Sequence, residues 1–327
     1  MTATTDAPAY ASVADLETHG PYGPGRLHTS PMWNRPIYPF QDRVTADGSS
    51  GYRAEPGRYH LYVAWVCPWA QRAAIARKLA GLEDVVSLSY VDDDRDGRGW
   101  AFRERRGPDP VNGFTLLEQA YEATEPGYRG HISVPVLWDR RTGRIVSNHF
   151  PDITLDLGTQ FREWADPSVD LYPEDRREEI DALNEEILQE VNHAPGRVAA
   201  AGTQDEYEES RHRAVAALER LEERLATRRF LLGDRITEAD VRLWPTLARF
   251  DLLHNPQARI SERALTDFPA LWGYARDLYQ RPAFRETTDF ATIRTSPSGG
   301  DGLVRTAVEP VEADWGAPHD RDRLAAS

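Results

Sequence analysis

Cys67 is the only cysteine among 327 residues, and its neighbours put it where a thiol can react. The run Arg58-Tyr59-His60-Leu61-Tyr62-Val63-Ala64 reads as a strand, and Pro68-Trp69-Ala70-Gln71-Arg72 opens a helix. Proline is tolerated at the first helical position because its missing N–H would be orphaned there, so Cys67 falls at the N-cap. A thiol at that point faces free backbone N–H groups and the positive end of the helix dipole, which favour the nucleophilic thiolate. Most lone cysteines are small buried hydrophobes, so it is the strand-to-helix junction that argues for chemistry. Three histidines, His149, His193 and His254, have the right acidity to move protons if they lie near the thiol, although any one of them is more often a packed or surface residue. The acidic run Asp92-Asp93-Asp94-Arg95-Asp96 lacks the spacing of an EF-hand loop, reads as a solvated loop, and gives no reason to expect a metal.

The elements that must carry this thiol can be read from the apolar pattern. The strand at 58–64, the helix at 68–80 stopped by Gly81, and a strand over 85–91 make a βαβ unit. Residues 132–138 form a further strand, Arg140-Arg141-Thr142-Gly143 a turn, and 144–147 its hairpin partner, with a helix expected after Asn148 as N-cap. The order βαβ then ββα is that of a thioredoxin-like domain. From Pro173 the period becomes helical, with stripes at Ile180, Leu183, Ile187 and Val191 and at Leu218, Leu221 and Leu225. Thr237 and Asp240 have the form of a capping box, flanked by an Ile236–Val241 staple, and Pro245 predicts a kink near Trp244. A last helix is expected over 269–280. The domain plan is therefore an irregular arm over 1–50 with no chemistry assigned, a thioredoxin-like thiol-binding domain over 51–165, an all-helical domain over 170–293, and an irregular tail over 294–327 that opens with the Ser296-to-Gly302 run.

Several words of the sequence carry a resemblance. Tyr59 to Val63, Cys67-Pro68-Trp69-Ala70, Gly99-Trp100, Ser133-Val134-Pro135-Val136, Ile145-Val146-Ser147-Asn148 and Thr237-Glu238-Ala239-Asp240 stand in the order found in glutathionyl-hydroquinone reductases, the cysteine-dependent xi class of glutathione transferases. The resemblance spans most of residues 30–292. It implies the glutathione transferase fold, a homodimer, no tightly bound cofactor, and Cys67 as the nucleophile that takes the thiol from a glutathionyl-hydroquinone. It further implies a cis bond at Val134-Pro135, with the Val134 backbone against the thiol cosubstrate, and a cosubstrate seat that includes Trp100 and the segment from Ser147. That segment departs from the family: His149-Phe150 stand where a glutamate and a serine would hold the γ-glutamyl arm, so neither the charge nor the hydroxyl of that anchor is present. The family's tyrosine after the first long helix and its His-Tyr-Tyr segment are also missing. The cosubstrate is accordingly glutathione or another small thiol such as mycothiol, the glucosamine-inositol thiol of GC-rich actinobacteria, which lacks a γ-glutamyl group. The arginine bias, with Lys78 the only lysine, fits such a genome. Two other readings stay open, a thiol S-transferase or dedicated pathway enzyme acting on one metabolite, and a non-catalytic ligand-binding member.

Bulk properties narrow the partners. A net charge of −14 argues against nucleic acid, whose phosphates need clustered cations. No apolar stretch is long enough to span a bilayer, the Met1 start has no signal-peptide pattern, and one cysteine fits a reducing compartment, so a cytoplasmic protein without membrane contact is expected. The expected partners are a small thiol and an aromatic or quinone conjugate.

Overall fold

The computed structural model describes residues 9–21, 38–294 and 310–324. The Met1 start and the Ser296-to-Gly302 run lie outside them. The chain divides into two compact units, residues 1–167 and 168–327.

In the first unit a short helix α1 (Leu16–His19) and the paired β1 (Val44–Thr45) and β2 (Tyr52–Arg53) precede the sheet. Then come β3 (Tyr59–Val63), α2 (Pro68–Leu79) and β4 (Ser87–Tyr90), the hairpin β5 (Asp92–Asp96) and β6 (Gly99–Ala101), α3 (Glu118–Thr124), β7 (Val136–Asp139), β8 (Arg144–Ser147) and α4 (Phe150–Thr159). The four-stranded sheet has the order β4-β3-β7-β8, with β3 parallel to β4 and the other pairs antiparallel. All five residues of β3 are buried, as a central strand covered on both faces requires. One face of α2 is alanine-rich, with Ala70, Ala73, Ala74 and Ala76 buried, and these small side chains let it pack closely against α4.

Three sequence readings need correction here. The strand expected from residue 132 starts at Val136, because 132–135 form the loop into Pro135. Asn148 does not cap α4; His149 does, and the second helical residue is Pro151, which has no N–H to cap. The acidic run is not a solvated loop. It forms β5, in which Asp92 and Asp96 are 2% and 0% exposed, because Arg98, Arg103, Arg105 and Arg106 neutralise it: Arg105 meets Asp92 at 2.8 Å, Arg106 meets Asp93 at 2.7 Å, and Arg98 meets Asp96 at 2.6 Å. Buried charges persist when paired and hydrogen-bonded, which a linear reading of hydropathy does not register.

The second unit is helical. It contains α5 (Arg177–Glu186), a π-helical turn (Ile187–Asn192), α6 (Ala194–Ala199), α7 (Gln204–Leu225), α8 (Glu238–Arg249), a second π-helical turn (Phe250–His254), α9 (Asn255–Ala258), α10 (Pro269–Tyr279), α11 (Pro282–Arg285) and α12 (Phe290–Arg294). The predicted stripes at Ile180, Leu183, Ile187 and Val191 and at Leu218, Leu221 and Leu225 are buried. Asp240 does more than cap α8: one carboxylate oxygen accepts from the N–H and hydroxyl of Thr237, the other from Leu231 N–H and the Tyr274 hydroxyl. The helix runs unbroken through Pro245, and its winding changes only after Arg249. The described part of the tail is irregular in secondary structure, as expected, yet it is anchored. Trp315 lies among Trp244, Trp272, Tyr279 and Phe290 with ring centroids 4.8–5.5 Å away, and the Arg321 guanidinium, in a residue 4% exposed, donates to the carbonyls of Leu225, Arg228, Arg229 and Ala270. Among the described residues no helix is long and apolar enough to cross a membrane.

Candidate active site

The end of β3 and the start of α2 present Cys67. Its backbone is extended (φ −85°, ψ 112°), its N–H donates to Ala64 at 3.2 Å, and its carbonyl accepts the first helical bond from Gln71 at 3.1 Å. It is the N-cap of α2, with Pro68 next, and its side chain makes no capping bond; the thiol instead lies 3.6 Å from the Val134 carbonyl. The Val134–Pro135 bond is cis, as the motif led us to expect. Val134 is 4% exposed and its carbonyl faces the sulfur, so the loop before β7 closes one side of the thiol.

A hydrogen-bonded hub sets that loop. The Tyr121 hydroxyl of α3 donates to the Ser133 carbonyl at 2.8 Å and accepts from Ser133 N–H at 3.0 Å. The buried Asn148 amide donates to Tyr121 Oη at 3.2 Å and Ser133 Oγ at 3.1 Å, while its oxygen accepts from Phe40 N–H at 3.2 Å. Ser147 is committed to the same joint: its hydroxyl donates to the Phe40 carbonyl and accepts from His149 N–H. The arm, given no chemistry in the sequence reading, is thus tied to the loop that faces the sulfur.

It also contributes a phenol. The Tyr38 ring lies 5.8 Å from His149 and 5.7 Å from Phe150, and its hydroxyl is pushed up to about 12 by burial first and by the Cys67 charge second. Phe150 in turn lies 4.7 Å from Trp69, and the buried Arg72 guanidinium spans both rings at 4.5 and 5.1 Å. Behind them His149 Nδ1 meets Asp152 at 2.7 Å, and Arg43 joins Asp152 at 3.3 Å to Asp156 at 2.5 Å. Nothing in the arm's sequence pointed to Tyr38, since an isolated tyrosine without periodicity gives no signal.

The other expected residues are placed as follows. Trp100 is 4% exposed in β6 with Arg95 over its ring at 4.2 Å, a packing position. His193 and His254 belong to the second unit, where His193 caps α6 and His254 is pushed down to about 3 by burial and the neighbouring Arg249. Only His149 of the three shares the first unit with Cys67. Among the described residues no group of histidine, cysteine and carboxylate side chains could hold a metal ion.

Comparison with known proteins places this arrangement. The family model for the glutathione S-transferase N-terminal domain matches residues 66–160, and that for the C-terminal domain matches residues 204–277. The glutathionyl-hydroquinone reductase PcpF of Sphingobium chlorophenolicum is 40% identical over 68% of this chain and 72% of its own. The glutathionyl-hydroquinone reductase YqjG of Escherichia coli K12 is 37% identical over 81% of this chain and 84% of its own, and its glutathione-bound structure superposes with a TM-score of 0.80 at 35% identity, covering 86% of this chain and 96% of that one. A xi-class glutathione transferase from Natrialba magadii superposes with a TM-score of 0.81 at 36% identity, covering 88% and 91% of the two chains.

Proposed function

The chain belongs to the glutathionyl-hydroquinone reductases of the glutathione transferase superfamily, and from that membership we propose that it reductively cleaves S-conjugates of hydroquinones or related aromatics through Cys67. The Cys67 thiolate attacks the thioether sulfur; the bond from sulfur to the ring carbon breaks, its electron pair stays with that carbon, and a proton completes the released hydroquinone. The thiol portion remains as a mixed disulfide on Cys67. A second thiol, as thiolate, attacks the outer sulfur, releases Cys67 and leaves as the symmetrical disulfide, so two thiol equivalents supply the two electrons that reduce the ring.

The observation that carries this reading is Cys67 at the N-cap of α2 with its sulfur 3.6 Å from the carbonyl before cis-Pro135. The Val134 backbone and Pro135 are proposed to flank the cosubstrate sulfur, and the start of α4, with Ser147 beneath His149 and Phe150, to receive its distal arm. Trp100 supports that seat through packing. Tyr38 supplies a phenol to the reacting ring or its proton. A homodimer in the cytoplasm completes the proposal. The test is Cys67→Ser: the folded variant should neither cleave a glutathionyl-hydroquinone nor trap a thiol by mass, and unchanged turnover would sink the reading.

One observation favours a second possibility for the cosubstrate. His149 and Phe150 stand at the start of α4, and the carboxylate there, Asp152, is already engaged by His149 and Arg43 rather than left for a γ-glutamyl ammonium. Glutathione is the thiol bound in the YqjG structure. In this chain a thiol with a neutral, hydroxyl-rich arm, such as mycothiol, would lose nothing from the exchange.

A further inference from the structure

The β5–β6 hairpin was set aside by the sequence reading, yet it touches the residue just before the nucleophile. Asp93 Oδ1 accepts from Val66 N–H at 3.1 Å, and Asp93 Oδ2 accepts from Arg106 Nε and Nη2 at 3.0 and 2.7 Å. Both side chains are largely covered, at 7% and 17% exposure. The Arg106 guanidinium also lies 5.8 Å over the ring of Trp65, which stacks on Tyr90 at 4.1 Å with the planes 4° apart. Val66 lies outside α2, so its N–H takes no part in the helix ladder and takes its acceptor from the hairpin.

We propose that Asp93 and Arg106 act together as positioning residues for Cys67, Asp93 fixing the Trp65-Val66-Cys67 turn through Val66 and Arg106 offsetting the negative charge that this bond brings close to the thiol. A neutral acceptor would hold the turn alone; a carboxylate holds it more strongly but would by itself disfavour a thiolate. The pair supplies the stronger bond without the electrostatic cost. The other charged and titratable groups near the turn and the thiol are Tyr90 of β4, stacked on Trp65, with Arg77 beside it, Tyr38 of the arm, Arg72 of α2, and His149 with Asp152 at the start of α4. Among the hydrogen bonds of the described residues, that of Val66 N–H goes to Asp93.

The proposal assumes only that Cys67 is reactive, so its test is the pH profile of Cys67 alkylation by iodoacetamide, which needs neither substrate nor cosubstrate and is independent of the reductase reading. Arg106→Gln leaves the Asp93 charge without its offset and should move the profile to higher pH by about half a unit, roughly a threefold loss of rate near neutrality. Asp93→Asn keeps an acceptor oxygen for Val66 while removing the charge and should move it to lower pH. Arg106→Lys keeps the charge and should leave the profile in place; if Arg106→Gln does not fold, Arg106→Met removes the charge with a side chain of similar length and should give the same displacement. Opposite displacements in the first two variants support the pair. Displacement in one direction, an unmoved profile with only a lower unfolding midpoint, or Arg106→Lys behaving like Arg106→Gln would overturn it.

Discussion

A thiol close to a backbone carbonyl is held differently in its two protonation states. Neutral Cys67 donates toward Val134, whereas a thiolate has no proton to give that oxygen and is attracted instead by the positive N-terminal end of α2. The same residue-scale reasoning changes how the cosubstrate question should be tested. Restoring both family residues at 149 and 150 is confounded, because Phe150→Ser would strip the ring that packs on Trp69 and under Arg72, at about 3–5 kcal/mol for a large aromatic. His149→Glu alone is cleaner. It should tighten glutathione about tenfold through one charge-assisted hydrogen bond, and leave a thiol with a neutral arm unimproved. Competition between glutathione and mycothiol for reduction of the Cys67 mixed disulfide reads the difference; equal gains for both would refute it.

Among the elements, the joint at Asn148 has most to lose from a single change. Asn148→Ala leaves the Phe40 N–H without its acceptor and takes one donor each from Tyr121 and Ser133, so a loss of about 2–4 kcal/mol is expected, with faster amide exchange at Phe40 before any change at β3. Hydrogen-exchange mass spectrometry checks this, and uniform exchange across the unit would count against a local joint. Much of the element plan was legible beforehand. The βαβ and ββα order, the junction at Cys67 and the helical stripes follow from periods of two and 3.6 with Gly and Pro punctuation. What was not legible has a common cause. The β5 strand depends on arginines up to thirteen residues away in sequence from their aspartates, Asn148 on a partner in the arm, and Tyr38 on the rings it meets across the fold; none of these leaves a mark in a local window.

For the molecule as a whole, acid should be the weak side. His60, 0% exposed in β3, bonds Ser87 through Nδ1, while its Nε2 has no partner among the described residues. Burial first, then Arg140 and Arg77, push it down to about 3 from the ordinary 6.5, so it is neutral in the fold. An unfolded chain takes up that proton as pH falls below 6.5 while the folded one does not until about 3. The contribution to stability is therefore complete above that upper value and lost on acidification through the window, by at most about 1.4 kcal/mol per pH unit. Urea midpoints for the parent and His60→Asn should converge as pH drops from about 7 to about 4.5; parallel lines would show that His60 does not titrate on unfolding.

The Arg321 clasp bears on the order in which the second unit can be completed. A helix normally finds partners for its last carbonyls within the next few residues, yet the carbonyls of Leu225, Arg228 and Arg229 wait for a guanidinium that is synthesised after every helix from α8 to α12. During translation α7 therefore leaves the ribosome unfinished at its C-terminal end, and water has to serve there until the strap arrives. A nascent chain halted between the end of α12 and that arginine would hold α5 to α12 and still lack the donor that closes α7.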